Sequence, residues 1–167
     1  NSIIKSLVNV AETYLHHRVL HIYDKIDLYI SPSQFLKKKV EEMGLKGEVA
    51  YLPNCVDLAE FNPDFESMEN NIVYLGRLSH EKGIETLINA VKKLPEVPLK
   101  IIGNGPLKKY LEEKVLSEHI SNVSFLGYKA GQALHDEIRK SIFLVVPSEC
   151  YENNPLTIIE AFALGKP

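Results

Sequence analysis

Ile72-Val73-Tyr74-Leu75-Gly76-Arg77-Leu78-Ser79-His80-Glu81-Lys82-Gly83-Ile84 sets the pattern for the second half of the chain. Four apolar residues end at a glycine and a charged turn follows. Residues 81–94 then carry Ile84, Leu87, Ile88, Val91 and Leu94 on one stripe. The apolar run is short and unbroken, as in a strand buried on both faces, and the stripe has the helical period. The same unit recurs downstream. A strand over 99–102 gives way to Gly103-Asn104-Gly105-Pro106 and a helix over 107–116, with Pro106 at its first turn. A strand over 123–126 stops at Gly127 and leads to a helix over 130–140. A strand over 142–146 stops at Pro147-Ser148 and leads to a helix over 155–164. Such serial β-α units predict an α/β fold, a Rossmann-like parallel sheet with helices on both faces. Ligands of such sheets bind beyond the carboxyl ends of the strands.

Upstream, residues 3–22 carry aliphatics at roughly helical spacing. Asp27-Leu28-Tyr29-Ile30-Ser31 reads as a strand. Ser33 is the expected N-cap of a basic amphipathic helix that runs to Gly44, a C-cap candidate. Glu48-Val49-Ala50-Tyr51-Leu52 is a second strand, closed by Pro53. Residues 54–70 are rich in Asn, Asp, Pro and acidic residues and read as a linker or long loop.

The whole sequence has 167 residues, 45% hydrophobic and 25% charged, enough apolar material for a core. Nineteen Lys and Arg against 22 Asp and Glu give net charge −3, which argues against a nucleic-acid binder. Cys55 and Cys150 are too few for a disulfide framework and lack the spacing of a zinc site. No apolar run reaches the ~18 residues a membrane span needs. Asn1 opens no signal peptide and the chain stops in what reads as a turn, so a piece of a longer protein is expected.

The strand ends carry the chemistry. Arg77 and Lys82 put two cations beside a helix N-terminus, a sensible anion site, although a solvated charged turn has the same composition. His80 in that turn could donate to a phosphate. Gly103 and Gly105 allow a ligand to approach the main chain, and a tight turn explains them as well. Glu149, Glu152 and Glu160 cluster near the last strand end. Glu160 falls within an otherwise apolar helix, where a carboxylate needs a polar partner: ligand hydroxyls, a backbone N–H, or solvent at the helix edge. His16 and His17 sit on the first helix with His21 an (i, i+4) partner of His17, a spacing that can bind a metal, but with no carboxylate or thiol companion the pattern is that of an exposed helix face.

With those residues in place, the segment 72–167 resembles the nucleotide-sugar-binding domain of the retaining GT-B glycosyltransferases of family 4. Tyr74-Leu75-Gly76-Arg77-Leu78 with Glu81-Lys82-Gly83-Ile84 carries the likeness. So do Ile101-Ile102-Gly103-Asn104-Gly105-Pro106, Val123-Ser124-Phe125-Leu126-Gly127-Tyr128, and Val146-Pro147-Ser148 leading to Glu152-Asn153-Asn154-Pro155-Leu156 and Glu160-Ala161-Phe162-Ala163-Leu164-Gly165-Lys166-Pro167. The first section resembles the last β-α-β of the family's N-terminal domain, with Cys55 where glycine is usual. The resemblance implies three parts: 1–57 as a remnant of the acceptor domain, 58–70 as the interdomain linker, and 71–167 as the donor domain, cut short at its end.

The resemblance also implies roles. Arg77 and Lys82 neutralise the donor diphosphate with no metal or other cofactor. Glu152 faces the donor sugar as the catalytic residue. Glu160 accepts from the ribose hydroxyls, and the N–H groups of Leu156 and Thr157 point at the phosphates. Gly103 and the turn at Gly127-Tyr128-Lys129 lodge the base, and Gly76, Asn104 and Asn154 complete the donor-binding set. The expected partners are a UDP- or GDP-hexose, with mannose as the guess, and a glycan or lipid-linked acceptor held by the rest of the protein. The expected place is cytoplasmic, peripheral to a membrane through that rest; Lys37-Lys38-Lys39 is a weak hint of the same. The fragment alone is expected to bind nucleotide weakly and to be inactive. The rival readings are a sugar-nucleotide epimerase, a glycogen- or sucrose-synthase-type transferase, or a non-catalytic nucleotide-binding module.

Overall fold

A computed structural model describes residues 3–66 and 69–167. The chain divides into two units, Asn1–Pro53 and Asn54–Pro167. In the first, helix α1 (Ile3–Tyr14) runs into a π-helical turn (Leu15–Val19) and a 3-10 turn (Ile22–Lys25). The helix expected over 3–22 thus ends early. His21 adopts a left-handed φ of 47°, which a continuous right-handed helix cannot contain. No residue of α1 is buried, and its aliphatics Ile3, Leu7 and Val10 are exposed.

Strand β1 (Leu28–Ser31), helix α2 (Gln34–Glu42) and strand β2 (Glu48–Tyr51) follow, and the two strands pair in parallel from Leu28↔Glu48 to Ser31↔Tyr51. Ser33 caps α2 as expected: its Oγ accepts the Leu36 N–H at 3.0 Å. Gly44, at φ +85°, ends it. The lysine triplet of α2 is countered on its own surface, with Lys37 near Glu41 and both Lys38 and Lys39 near Glu42. Among the described residues no helix is long and apolar enough to cross a membrane.

The second unit is built on strands β3 (Ile72–Leu75), β4 (Leu99–Ile102) and β5 (Val123–Gly127), parallel and in that order. A register shift at Ile101/Ile102 pairs Ile102 with Gly127. The strand expected over 142–146 narrows to one parallel bridge, Val73↔Leu144, on the free edge of β3. Ladder bonds still flank it: Val73 donates to Phe143 at 3.1 Å and Val145 donates to Val73 at 2.8 Å. The Leu144 N–H turns the other way, to the Pro167 carbonyl, and Pro147 ends the run because it has no N–H to give.

Four helices cover this sheet: α3 (Ile84–Val91), α4 (Lys108–Ser117), α5 (Gly131–Lys140) and α6 (Leu156–Ala163). Strand alternation sorts the core into two layers. Ile72, Tyr74, Leu99 and Ile101 pack with Ile84, Leu87, Ile88 and Val91 of α3 and Leu111 of α4. Leu75 and Leu144 pack on the opposite side with Ile138 of α5 and Ala161 of α6. The parallel sheet with helices on both faces is the fold that the serial β-α units predict. Leu94 is a correction: α3 stops at Val91, and Leu94 is left exposed.

The segment after Pro53 reads in the sequence as a loop, and it is one that is fastened down. Phe61 is buried in the second layer and stacks on His135 with ring centroids 4.6 Å apart. Asp64 N–H donates to the Leu164 carbonyl at 3.1 Å, and the Phe65 ring covers Gly165.

Candidate functional site

The site forms where the strands of the second unit end. Beyond β3 the chain turns at Gly76, whose N–H donates to the Ile102 carbonyl at 3.1 Å. The Tyr74 phenol reaches forward and donates to the Arg77 carbonyl at 2.9 Å, which shapes the turn from below. Burial pushes that phenol well above its ordinary pKa, so it remains a neutral donor. The loop after β4 lies directly on this turn. Leu78 N–H donates to the Asn104 carbonyl, and Leu107 N–H donates back to Leu78, both at 3.0 Å. Gly103, at φ +138°, has room for no side chain: a Cβ there would sit 1.9 Å from the Gly76 oxygen.

These loops enclose a cleft of about 290 Å³ that includes Gly76, Arg77, Gly103, Asn104, Tyr128 and Lys129. Six of the sequence-predicted donor-binding residues therefore line one cavity. Arg77 is exposed, and among the described residues its guanidinium has no ion-pair partner. Tyr128 is 74% exposed, leaving a ring face open to a ligand. Lys129 is engaged: its ammonium pairs with Glu137 of α5 at 2.8 Å, and Glu137 pairs in turn with Lys100 at 3.2 Å.

Lys82 closes a 3-10 turn (His80–Lys82) just before α3. Its Nζ lies 2.7 Å from Glu152 Oε1, an ion pair between side chains about three-quarters buried (29% and 24% exposed). Ser148 donates its hydroxyl to the same oxygen. The Lys82 ammonium first, and the Ser148 hydroxyl second, hold the Glu152 carboxyl below the ordinary carboxylate range. The pairing with Glu152 raises the Lys82 ammonium in turn. Two cations at one anion site thus differ in state, Arg77 open and Lys82 already neutralised.

The three carboxylates near the last strand end separate. Glu149 accepts from Thr86 Oγ1 at 2.7 Å, and its N–H donates to the Glu81 carbonyl at 3.0 Å, so it ties the loop to α3. Glu152 faces Lys82. The Glu160 carboxylate, on α6, has no hydrogen-bond partner among the described residues, and burial raises its pKa while His135 opposes the shift. The unmet demand that the sequence pattern places on Glu160 is visible here as a raised carboxyl. Asn154 takes a left-handed φ of 57°, and its carbonyl accepts from Asn54 Nδ2 at 2.8 Å. This turn delivers the chain into α6, whose first N–H groups, those of Leu156 and Thr157, have no acceptor within the helix. His80 is exposed on its turn. Ser148, Thr86 and Asn54 carry weight here without being singled out by the sequence. Their partners lie far along the chain or, for Ser148, at a spacing that names no motif.

The raised Glu160 carboxyl has a testable consequence. Its folded pKa lies above its unfolded one, so folding is favoured fully below the unfolded value and that share is lost as pH rises through the folded value. Glu160→Gln is expected to stabilise the ligand-free chain at pH 7 by about 0.5–1 kcal/mol. Thermal unfolding should show the gain fade in acid below the ordinary glutamate pKa. A variant no more stable at pH 7 would count against an unpartnered carboxylate.

Comparison with known proteins identifies the frame of this site. The family described as Glycosyl transferases group 1 matches residues 56–167. The chain belongs to that family. An uncharacterized glycosyltransferase of Methanocaldococcus jannaschii is 30% identical over 141 residues, covering 84% of this chain and 39% of the relative. A sulfoquinovosyl transferase of Arabidopsis thaliana is 30% identical over 155 residues, covering 84% of this chain and 30% of its own. Among solved structures, Anabaena HepE, crystallised with UDP and glucose, superposes with TM-score 0.78 at 21% identity over 93% of this chain and 47% of that one. Sucrose-phosphate synthase of Thermosynechococcus elongatus gives 0.75 at 26% identity over 88% of this chain and 41% of that one. The group 1 glycosyl transferase chain described here therefore has a GT-B-like fold and spans less than half of each of these relatives.

Proposed function

We propose that the second unit is the donor-binding part of a retaining glycosyltransferase of family 4 type. It takes a hexose from a nucleotide diphosphate sugar and passes it to a glycan or lipid-linked acceptor bound by the rest of the full-length protein. The division of labour along the chain is part of the proposal: 1–57 from the acceptor domain, 58–70 as linker and 71–167 as donor domain. The observation that carries the reading is the convergence at the strand ends. A cleft holding Arg77 lies beside the Lys82–Glu152 pair, so cations for a diphosphate and a carboxylate for a sugar share one edge of the sheet.

In this reading the base lies in the cleft of Gly103, Asn104 and Tyr128. Arg77 and Lys82 take the phosphates, joined by the free N–H groups of Leu156 and Thr157. Glu160 gains the polar partner it lacks by accepting from the ribose hydroxyls. Glu152 supplies negative charge where positive charge develops on the departing sugar. The leaving diphosphate is met by side-chain cations, and the reading calls for no metal. HepE holds UDP in its crystal, which supports a uridine nucleotide; mannose from GDP-mannose is the alternative donor that the Glu152-Asn153-Asn154-Pro155 stretch suggests.

Titrating the chain and its full-length parent with UDP, GDP and their sugars tests the reading. Arg77→Ala is expected to weaken nucleotide binding about 10- to 100-fold, the loss of a charge-assisted contact. Affinity unchanged by that substitution would remove Arg77 from the site, and no binding by the parent would end the proposal.

A further inference from the structure

The two donors on Glu152 Oε1 have unequal freedom. Lys82 is the cation that the proposed function assigns to the diphosphate, so a bound phosphate competes for it. Ser148 has no other hydrogen-bond partner among the described residues and lies on the same loop as Glu152. That loop is pinned on both sides. Glu149 is tied to Glu81 and Thr86, and the Pro147 carbonyl lies against Gly83, where a Cβ would approach it to 2.0 Å. At the far side Asn54 holds the Asn154 carbonyl. Between these anchors, Lys82 and Ser148 are the groups that orient the Glu152 carboxylate, and Oε2 is left without a hydrogen-bond partner among the described residues. Among the described residues the Tyr74 phenol also faces Glu152 and stays neutral, and Glu81 and Cys150 lie near the Lys82 ammonium.

We propose that Ser148 is a positioning residue for Glu152: its hydroxyl keeps the carboxylate in place and ionised once a phosphate has drawn Lys82 away. The role rests on the donor-site reading given above. It follows from geometry, because the Ser148 bond is the one of the two that the ligand does not compete for. A hydroxyl donating to a carboxylate is a charge-assisted bond, about twice as strong as a neutral one. Without it, the loaded site would hold a glutamate free to turn away from the sugar.

Carboxyl NMR titration of Glu152 in the 167-residue chain tests this, with Lys82→Met standing in for the withdrawn ammonium. The Glu152 titration is expected to move to higher pH in Lys82→Met and further up in Lys82→Met/Ser148→Ala. It should return to the Lys82→Met position in Lys82→Met/Ser148→Thr, which restores the hydroxyl. Identical titrations with and without the Ser148 hydroxyl would overturn the proposal, as would failure of threonine to restore it. Adding UDP to the unmodified chain reads the donor site separately. Absence of saturable shifts at Arg77 and Lys82 would sink that reading, while the ligand-free titrations still decide the role of Ser148. In the full-length enzyme Ser148→Ala should lower kcat about tenfold and leave KM within about twofold, as for a group that acts through another. An unchanged kcat would also overturn it.

Discussion

Glu152→Gln is expected to lower transfer by the full-length enzyme about 100- to 1000-fold while tightening its grip on UDP several-fold. The two effects have opposite signs because the proposed function gives Glu152 two jobs. In the ligand-free chain it neutralises Lys82 across 2.7 Å, so a diphosphate must break an ion pair before it can use that ammonium. Glutamine keeps the shape and can still accept from Ser148, yet it returns a full positive charge to the anion site. In the proposed transfer the same carboxylate faces the positive charge that develops on the sugar, and glutamine supplies none. Acid should reproduce half of this. The Glu152 carboxyl is held low, so the pair persists through neutral pH and opens only as pH falls through that depressed value. UDP affinity of the unmodified chain, measured relative to Glu152→Gln, should then converge on that of the variant. Weaker UDP binding by Glu152→Gln would show that Glu152 does not occupy Lys82 at the expense of phosphate.

The largest effect on stability is expected at Gly103. Alanine there brings a Cβ to 1.9 Å from the Gly76 oxygen, at a φ of +138° that side chains rarely adopt. The obstacle is main chain rather than the tip of a flexible side chain, so the β3 and β4 loops must part. Backbone strain and overpacking together should cost about 3–5 kcal/mol. Gly127→Ala is the control: its φ of +71° is also strained, but nothing lies within 4 Å of the added carbon. It should cost about 1–2 kcal/mol, the strain alone. Urea unfolding midpoints separate the two. Equal losses would mean that the close approach of the two loops is not what makes glycine necessary.

Much of this molecule is legible in its sequence because its signals are local. Unbroken apolar runs stopped by glycine mark β3, β4 and β5, and the Ile84 to Val91 stripe marks the buried side of α3. Ser33 announces its own cap. Six of the residues lining the cleft are legible for the same reason, since they sit in the turns that end β3, β4 and β5. What was hidden depends on partners remote in the chain. Glu152 meets Lys82 from 70 residues away, and Glu149 meets Thr86 from 63. No spacing rule could say that one of three neighbouring glutamates takes the lysine, another the threonine, and that Glu160 takes neither. The outer side of the 142–146 run likewise meets a remote partner, the Pro167 carbonyl, which accepts the Leu144 N–H. Composition also misdirects at 54–66, where Asn, Asp and Glu residues conceal the one aromatic, Phe61, that enters the core.

The fastened segment around Phe61 can be understood as a ligand that the domain carries on its own chain. Its ring fills a slot formed by Ile138, Ala161 and Leu164 and rests on His135. Covalent attachment gives such a segment an effective concentration on the order of millimolar, so it can stay bound through contacts that would be weak for a free peptide. The occupied slot is backed by α5 and α6, the helices that carry Glu137 and Glu160. Residues 54–66 thus support the two helices that carry these glutamates, and Asn54 bonds directly to the Asn154 carbonyl of the candidate site. The compact unit accordingly begins at Asn54, at the start of the self-supplied ligand, rather than at β3.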